Sequence, residues 1–169
     1  SSGVDDPPHS LTSFDAAAFV QERTPIDQPD HPLILLVDSG ASGHYIAMCD
    51  VKDLIDLVPL RHGPAIRLPN GATVRATHSA LLPIPGLDVS ARRCFVFPEL
   101  KGSLLSVSRL CDAGLTAECN AHSAIFRRNG RLVLQGVRRP GDLLWSLELR
   151  PPRAQRESLS IPTPSVSSC

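Results

Sequence analysis

The sequence predicts a mainly β domain, a closed β-barrel with one or two short helices. Three observations carry that prediction. Apolar residues come in short runs separated by turn residues, a length that suits strands and not core helices. Asn-Gly, the strongest short hairpin signal, occurs twice, at Asn70-Gly71 and Asn129-Gly130. Sixteen prolines in 169 residues disfavour long helices. Aromatic residues make up 4% of the chain, so aliphatic side chains must fill the core.

Each element follows in order. Residues 1–31 are polar, acidic and proline-punctuated, and are expected to be a disordered linker with one short helix at Phe14–Glu22. Leu33–Val37 is a continuous apolar run, the length of a buried strand, and it ends in the polar loop Asp38-Ser39-Gly40-Ala41-Ser42-Gly43. Asp50 is a good N-cap, and Leu54, Leu57 and Val58 at helical spacing predict a short helix over Val51–Leu57. Ala65–Leu68 is a predicted strand. The Asn70-Gly71 turn joins it to Thr73–Leu82, whose alternation puts Val74, Ala76 and Ala80 on one face.

A turn near Pro85-Gly86 precedes a predicted strand at Val89–Phe97, with Cys94, Val96 and Phe97 as core candidates. Ser106 is a plausible N-cap for a helix over Val107–Ala113, closed by Gly114. Leu115–Cys119, Ala124–Arg128 and Arg131–Gln135 are predicted strands, the last two joined at Asn129-Gly130. Leu143–Leu149 is the final strand. The barrel domain is thus expected over 32–150, with a Pro- and Ser-rich disordered tail at 151–169.

Formal net charge is zero, so no global field draws the chain to nucleic acid or membrane. The distribution is uneven: residues 1–31 carry a balance of −5 and residues 66–139 a balance of +7. Solvated surface explains this; weak contact with RNA or an acidic segment is the sharper alternative. The five cysteines have no CxxC spacing, which predicts reduced, mostly buried thiols and neither a disulfide framework nor a zinc site. No stretch is long and apolar enough to span a membrane, and the acidic N-terminus lacks an apolar signal core. The chain begins at Ser1, and is expected to be an excised piece of something longer.

The chemistry centres on Leu36-Val37-Asp38-Ser39-Gly40-Ala41. A carboxylate that ends a buried strand and is followed by small residues is expected to face a cleft. Gly40 would allow close backbone approach, and Ser39 would support the loop or bond across an interface. Peptide hydrolysis by carboxylates needs two of them sharing one proton, one acting as base towards water and the other polarising the scissile carbonyl. Asp-Ser-Gly occurs once here, so the second carboxylate would come from a symmetry mate across a two-fold axis. Asp-Ser-Gly is also a common turn sequence, and its context decides between the two readings. His44, six residues on, reads as a structural hydrogen-bonder. No His/Cys cluster has metal spacing, and Ser42 and Ser106 lack a His–Asp pairing for serine chemistry.

That context resembles the protease region of copia-type retrotransposon polyproteins. Leu36-Val37-Asp38-Ser39-Gly40-Ala41-Ser42-Gly43-His44 resembles the family's Asp-Ser-Gly-Ala box. Leu68-Pro69-Asn70-Gly71 with Thr77-His78 resembles its flap hairpin. Phe95-Val96-Phe97-Pro98-Glu99-Leu100 and Leu104-Leu105-Ser106-Val107-Ser108-Arg109-Leu110-Cys111-Asp112-Ala113-Gly114 follow in the family's order. Asn129-Gly130 and Gly141-Asp142-Leu143-Leu144-Trp145 complete a likeness that covers roughly residues 33–149.

The resemblance implies a retropepsin-like, pepsin-half barrel that works as a homodimer without a cofactor, cleaving its parent polyprotein in a cytoplasmic retrotransposon particle. It makes Asp38 the catalytic residue, with Ser39, Gly40 and Ala41 supporting it. Asn70 and Gly71 would form a flap over an extended polypeptide substrate, and Leu104 and Leu105 would pack behind the catalytic loop. The flap segment carries one glycine, Gly71, where mobile flaps are often richer. The alternative is a catalytically inactive barrel acting as a structural or assembly module.

Overall fold

The long central strand positions everything else. The computed structural model describes residues 32–150, and within them β1 (Leu33–Asp38) is buried at five of its six residues. A run buried on both faces needs a neighbour on each side and cover above and below. β1 pairs in parallel with β8 (Ser103–Ser106), register Leu36↔Leu104 and Asp38↔Ser106, and antiparallel with β12 (Ser146–Leu149). Alternation divides its side chains. Leu33, Leu35 and Val37 enter the main core with Ile46, Leu82, Val96, Leu105, Leu110 and Phe126. Leu36 meets Leu104 on the opposite face, with Tyr45 and Leu144 against them.

On one flank of β8 lie β2 (His44–Ala47), β7 (Arg93–Phe97), β6 (His78–Leu81) and β3 (Ile55–Pro59). Beyond β12 lie β11 (Arg131–Val137), β10 (Ser123–Arg128) and β9 (Thr116–Cys119). These ten strands make one sheet with β3 and β9 at its edges. The mainly β prediction holds. The closed barrel does not: the edge strands do not meet, and no sheet closes. A separate two-stranded sheet pairs β4 (Ala65–Arg67) with β5 (Thr73–Arg75).

Four predicted elements differ from those observed, the simplest being the final strand expected over Leu143–Leu149, which begins only at Ser146. The helix expected over Val51–Leu57 is a 3-10 turn at Met48–Asp53, and Asp50 sits inside it and not at its cap. Asp50 is buried because its carboxylate accepts the Ser103 hydroxyl at 2.5 Å. The chain then leaves as β3, where β-branched Ile55 and Val58 and the following Pro59 favour extension. Leu57 and Val58 are exposed on this edge strand.

The single strand expected over Thr73–Leu82 divides at Ala76-Thr77. Ala76 N–H still bonds Pro64 beside β4, whereas Thr77 N–H bonds Val96 in the large sheet, so the chain changes sheets there. The strand expected over Val89–Phe97 begins as one helical turn, α1 (Val89–Arg92), leaving Val89 exposed.

Other expectations match. α2 (Val107–Asp112) is capped by the Ser106 hydroxyl, which accepts Arg109 N–H at 3.2 Å, and it closes at Gly114 with φ +98°. Cys94, Val96 and Phe97 are buried, whereas the single face expected for Val74, Ala76 and Ala80 is divided: Val74 and Ala76 pack in a cluster with Phe97, and Ala80 enters the main core. The thiols are mostly not: Cys49, Cys111 and Cys119 are exposed and Cys94 alone among the described cysteines is buried. The predicted helix at Phe14–Glu22, the linker and the tail lie outside the described residues.

Candidate active site

Asp38 is the last residue of β1 and has no exposed surface in the single chain. Its Oδ1 accepts the Gly40 N–H at 2.8 Å, a local turn that closes Asp38-Ser39-Gly40 on the carboxylate. Gly40 therefore serves the carboxylate as a backbone donor. Ser39 is exposed on this turn, and Ala41 is buried. Among the described residues Asp38 faces no open cleft, because it is wholly covered.

Behind the loop the buried polar groups form a continuous set of bonds. Ser106, the register partner of Asp38, donates its hydroxyl to Ala41 O at 2.7 Å while capping α2. Ser108 adds a longer bond to the same carbonyl at 3.5 Å. Ser106 N–H donates to His44 Nδ1 at 3.0 Å, and the other ring nitrogen, Nε2, lies 2.9 Å from Ala91 O on α1.

A main-chain N–H can only donate, so Nδ1 is the acceptor and the ring proton sits on Nε2. Burial of the ring, with a smaller contribution from the Arg109 charge, lowers the His44 pKa to about 4 although the Ala91 carbonyl opposes the shift. The imidazole is neutral at pH 7. As the sequence suggests, His44 is a structural hydrogen-bonder.

Leu104 and Leu105 stand on β8 beside the strand that ends in Asp38. Leu104 pairs with Leu36 and faces it; Leu105 pairs with Val37 and enters the main core. Ser103 completes this strand, its hydroxyl accepting Ala47 N–H at 3.0 Å and donating to Asp50.

Asn70 and Gly71 form the tip of the β4–β5 hairpin, both exposed. Gly71 N–H bonds Leu68 O, Asn70 Oδ1 accepts Ala72 N–H at 2.9 Å, and only Gly71 has positive φ, +91°. That is a tight turn followed by a left-handed glycine, a three-residue loop. The hairpin packs through Val74, Ile66 and Leu68 on a second cluster containing Ala47, Phe97 and Leu100, distinct from the core around Leu105.

Tyr45 links the hairpin cluster to the Leu36–Leu104 pair and was not singled out by sequence reasoning. Its ring meets Phe97 edge-on at 5.3 Å, it packs on both the Leu36–Leu104 pair and the hairpin cluster, and its hydroxyl is 2.7 Å from Ser42 Oγ in the Asp38–Gly43 loop. Its place two residues beyond the Asp38–Gly43 loop, as the only tyrosine of the chain, was the available signal. Ser103 and Asp50 were likewise missed as a pair, because 53 residues separate them.

Among the described residues no group of three His, Cys, Asp or Glu side chains is placed to hold a metal ion, and no helix is long and apolar enough to cross a membrane. Several arginines of the basic stretch serve the fold: Arg75 bonds Gly63 O, Arg109 bonds Ser90 O, and Arg127 pairs with Glu118 at 2.9 Å. Comparison with protein-family models, curated proteins and solved structures finds no match for this chain.

Proposed function

We propose that this chain is the protease domain of a copia-type retrotransposon polyprotein: a retropepsin-like aspartic endopeptidase that works as a homodimer with one Asp38 from each copy. The observation that supports the reading best is the parallel pairing of Leu36-Val37-Asp38 with Leu104-Leu105-Ser106. It joins the two motifs that the resemblance makes the catalytic loop and its backing, across a sequence separation of 68 residues. Two copies of Asp38 on a two-fold axis would share one proton, and that proton would belong to the pair. An extended substrate would lie between this floor and the β4–β5 hairpin, bound as an added strand.

The test is cleavage of the parent polyprotein by the purified chain, with and without a statine inhibitor, for the wild type and for Asp38→Asn. The amide keeps the side chain's shape and cannot take a proton from water. Inhibitable cleavage that is lost in Asp38→Asn, with the fold intact by circular dichroism, is the expected result. An Asn variant as active as the parent would overturn the assignment.

The complete burial of Asp38 favours a second reading, a non-catalytic module in which the carboxylate has a structural role that includes closing its loop on Gly40. The two readings separate on a concentration series. A dimeric enzyme gains specific activity as sedimentation shows dimer forming, by mass action. A chain that dimerises fully and cleaves nothing is the module.

A further inference from the structure

His44 takes no part in the dyad chemistry, and yet it holds three elements together beside it. It stands on β2, its Nε2 proton reaches Ala91 O on α1, and its Nδ1 receives the N–H of Ser106 at the start of α2. Ser106 passes the restraint on. Its hydroxyl ends on Ala41 O in the loop that follows Asp38, and its backbone is in register with Asp38 itself. Two hydrogen bonds therefore separate the imidazole from the loop.

The arrangement works in one protonation state. A proton on Nδ1 would face the Ser106 N–H, setting two donors against each other in a buried space, where an unmade bond is costly. The surroundings disfavour that proton. Arg109 on α2 adds like charge, and α1 contributes Arg92, whose guanidinium reaches towards Leu82 O. Cys94 on β7, the register partner of His44, is a neutral thiol pushed up to about 12 by burial. Asp38 on β1 lies one strand away across Ser106, and the Asp50 carboxylate accepts Ser103 at the other end of β8.

We propose that His44 is a positioning residue of the aspartic site: its neutral ring holds Ser106, and through Ser106 the Ala41 end of the Asp38 loop, so that protonating the ring releases the loop. For its effect on cleavage this rests on the protease reading above; its effect on the loop stands independently. The device runs against the dyad, since acid that helps a carboxyl pair to share a proton also loosens the loop that presents it.

Amide hydrogen exchange and ring-proton NMR on the full chain test this. As the His44 ring titrates, protection of the Ser106 amide and of residues 39–43, corrected for intrinsic rate, falls about tenfold, while the Phe126–Leu134 ladder keeps its protection. His44→Asn retains an acceptor near the Nδ1 position, so Ser106 stays protected and its pH dependence disappears. His44→Gln retains a donor towards Ala91 and loses the acceptor, so Ser106 and the loop lose about tenfold in protection at every pH. On a cleavable peptide His44→Gln lowers kcat about tenfold with KM little changed, and His44→Asn restores kcat.

Loop protection that stays constant through the ring titration overturns the proposal, as does His44→Gln with wild-type exchange. If His44→Gln does not fold, the wild-type titration decides alone. If exchange follows the ring while no chain cleaves any peptide, the positioning is supported and the protease reading fails.

Discussion

The floor of the site and the β4–β5 hairpin are held by different means. The floor is fixed from several sides at once: β8 pairs with β1 on one side and β2 on the other, Leu105 and Leu104 fill opposite faces, and Ser103, Ser106 and His44 satisfy buried backbone groups. The hairpin has one three-residue ladder of its own, sits outside the ten-stranded sheet, and rests on the body through a few apolar side chains. Redundant buried bonds hold the floor against local opening while His44 is neutral; a hairpin with one short ladder opens locally at lower cost. Under the protease reading proposed above, a firmly held floor and a more loosely held hairpin would suit the binding of an extended chain.

Removing volume from the floor should have the largest effect. Leu105 is fully buried beside Val37. Leu105→Ala is expected to destabilise the chain by about 2–5 kcal/mol through lost transfer energy and the cavity left behind. The urea midpoint should fall by the corresponding amount in a single transition, with sheet and hairpin lost together. A loss under about 1 kcal/mol would mean that the floor collapses around the gap and is less rigid than its bonds imply.

Acid should act on the floor next. The folded His44 has its pKa near 4, below the unfolded value of 6.5. Between those values the unfolded chain takes up a proton that the folded chain refuses, so stability is full above about pH 6.5 and declines as the pH falls towards 4. The integrated loss is on the order of 3 kcal/mol. Urea midpoints across this window should drop for the wild type by more than for His44→Asn, which has no imidazole to titrate. Parallel pH curves for the two would remove His44 from the acid response.

The same division explains what was readable in the sequence. The hairpin is local chemistry: Ala65–Leu68, Asn70-Gly71 and Val74 are neighbours, and the turn dipeptide announces them. Asp38, Leu104, Leu105 and the Ser106 cap were also legible as pieces. What joins them was not, because the β1–β8 and β2–β7 pairings link distant segments, and His44–Ala47 is too short to show a strand period. The false helix over Val51–Leu57 has a similar origin. Its apolar spacing was real, but Asp50 was taken by Ser103 from far along the chain, and Asp56 adopts φ 54° at the irregular start of β3. The closed barrel was a fold-level expectation, which no local pattern tests.

The joint between the regions is the third place to press. Gly63 lies against the chain where it changes sheets, and a methyl group there would come within 2.3 Å of Ala76 O. Arg75 also bonds Gly63 O at 2.9 Å, so the backbone has little room to retreat. Gly63→Ala should cost about 1–3 kcal/mol by overpacking. Because the clash is at the base of the hairpin, amide protection should fall in β4 and β5 and remain in β1 and β8. Loss of protection spread evenly over both regions would show that hairpin and floor open as one unit.

The smallest effect separates the two Asn-Gly turns, which look identical in sequence. Asn129 has φ 53° and Gly130 φ 81°, so both central residues of that turn are left-handed. Asn70 is not left-handed, and its contribution is the side-chain bond to Ala72 N–H on an exposed tip. Alanine lacks asparagine's tolerance of the left-handed region, so Asn129→Ala should cost about 1 kcal/mol in backbone conformation. Asn70→Ala loses one solvent-exposed hydrogen bond, about 0.5 kcal/mol. The β10–β11 turn ties two strands of the large sheet, so its loss should appear in the global urea midpoint. The loss at Asn70 should appear instead as faster exchange of the Ala72 and Gly71 amides with the midpoint nearly unchanged. If Asn70→Ala shifts the midpoint as much as Asn129→Ala, the β4–β5 hairpin is part of the cooperative core, and a hairpin that opens separately from the floor is the wrong description.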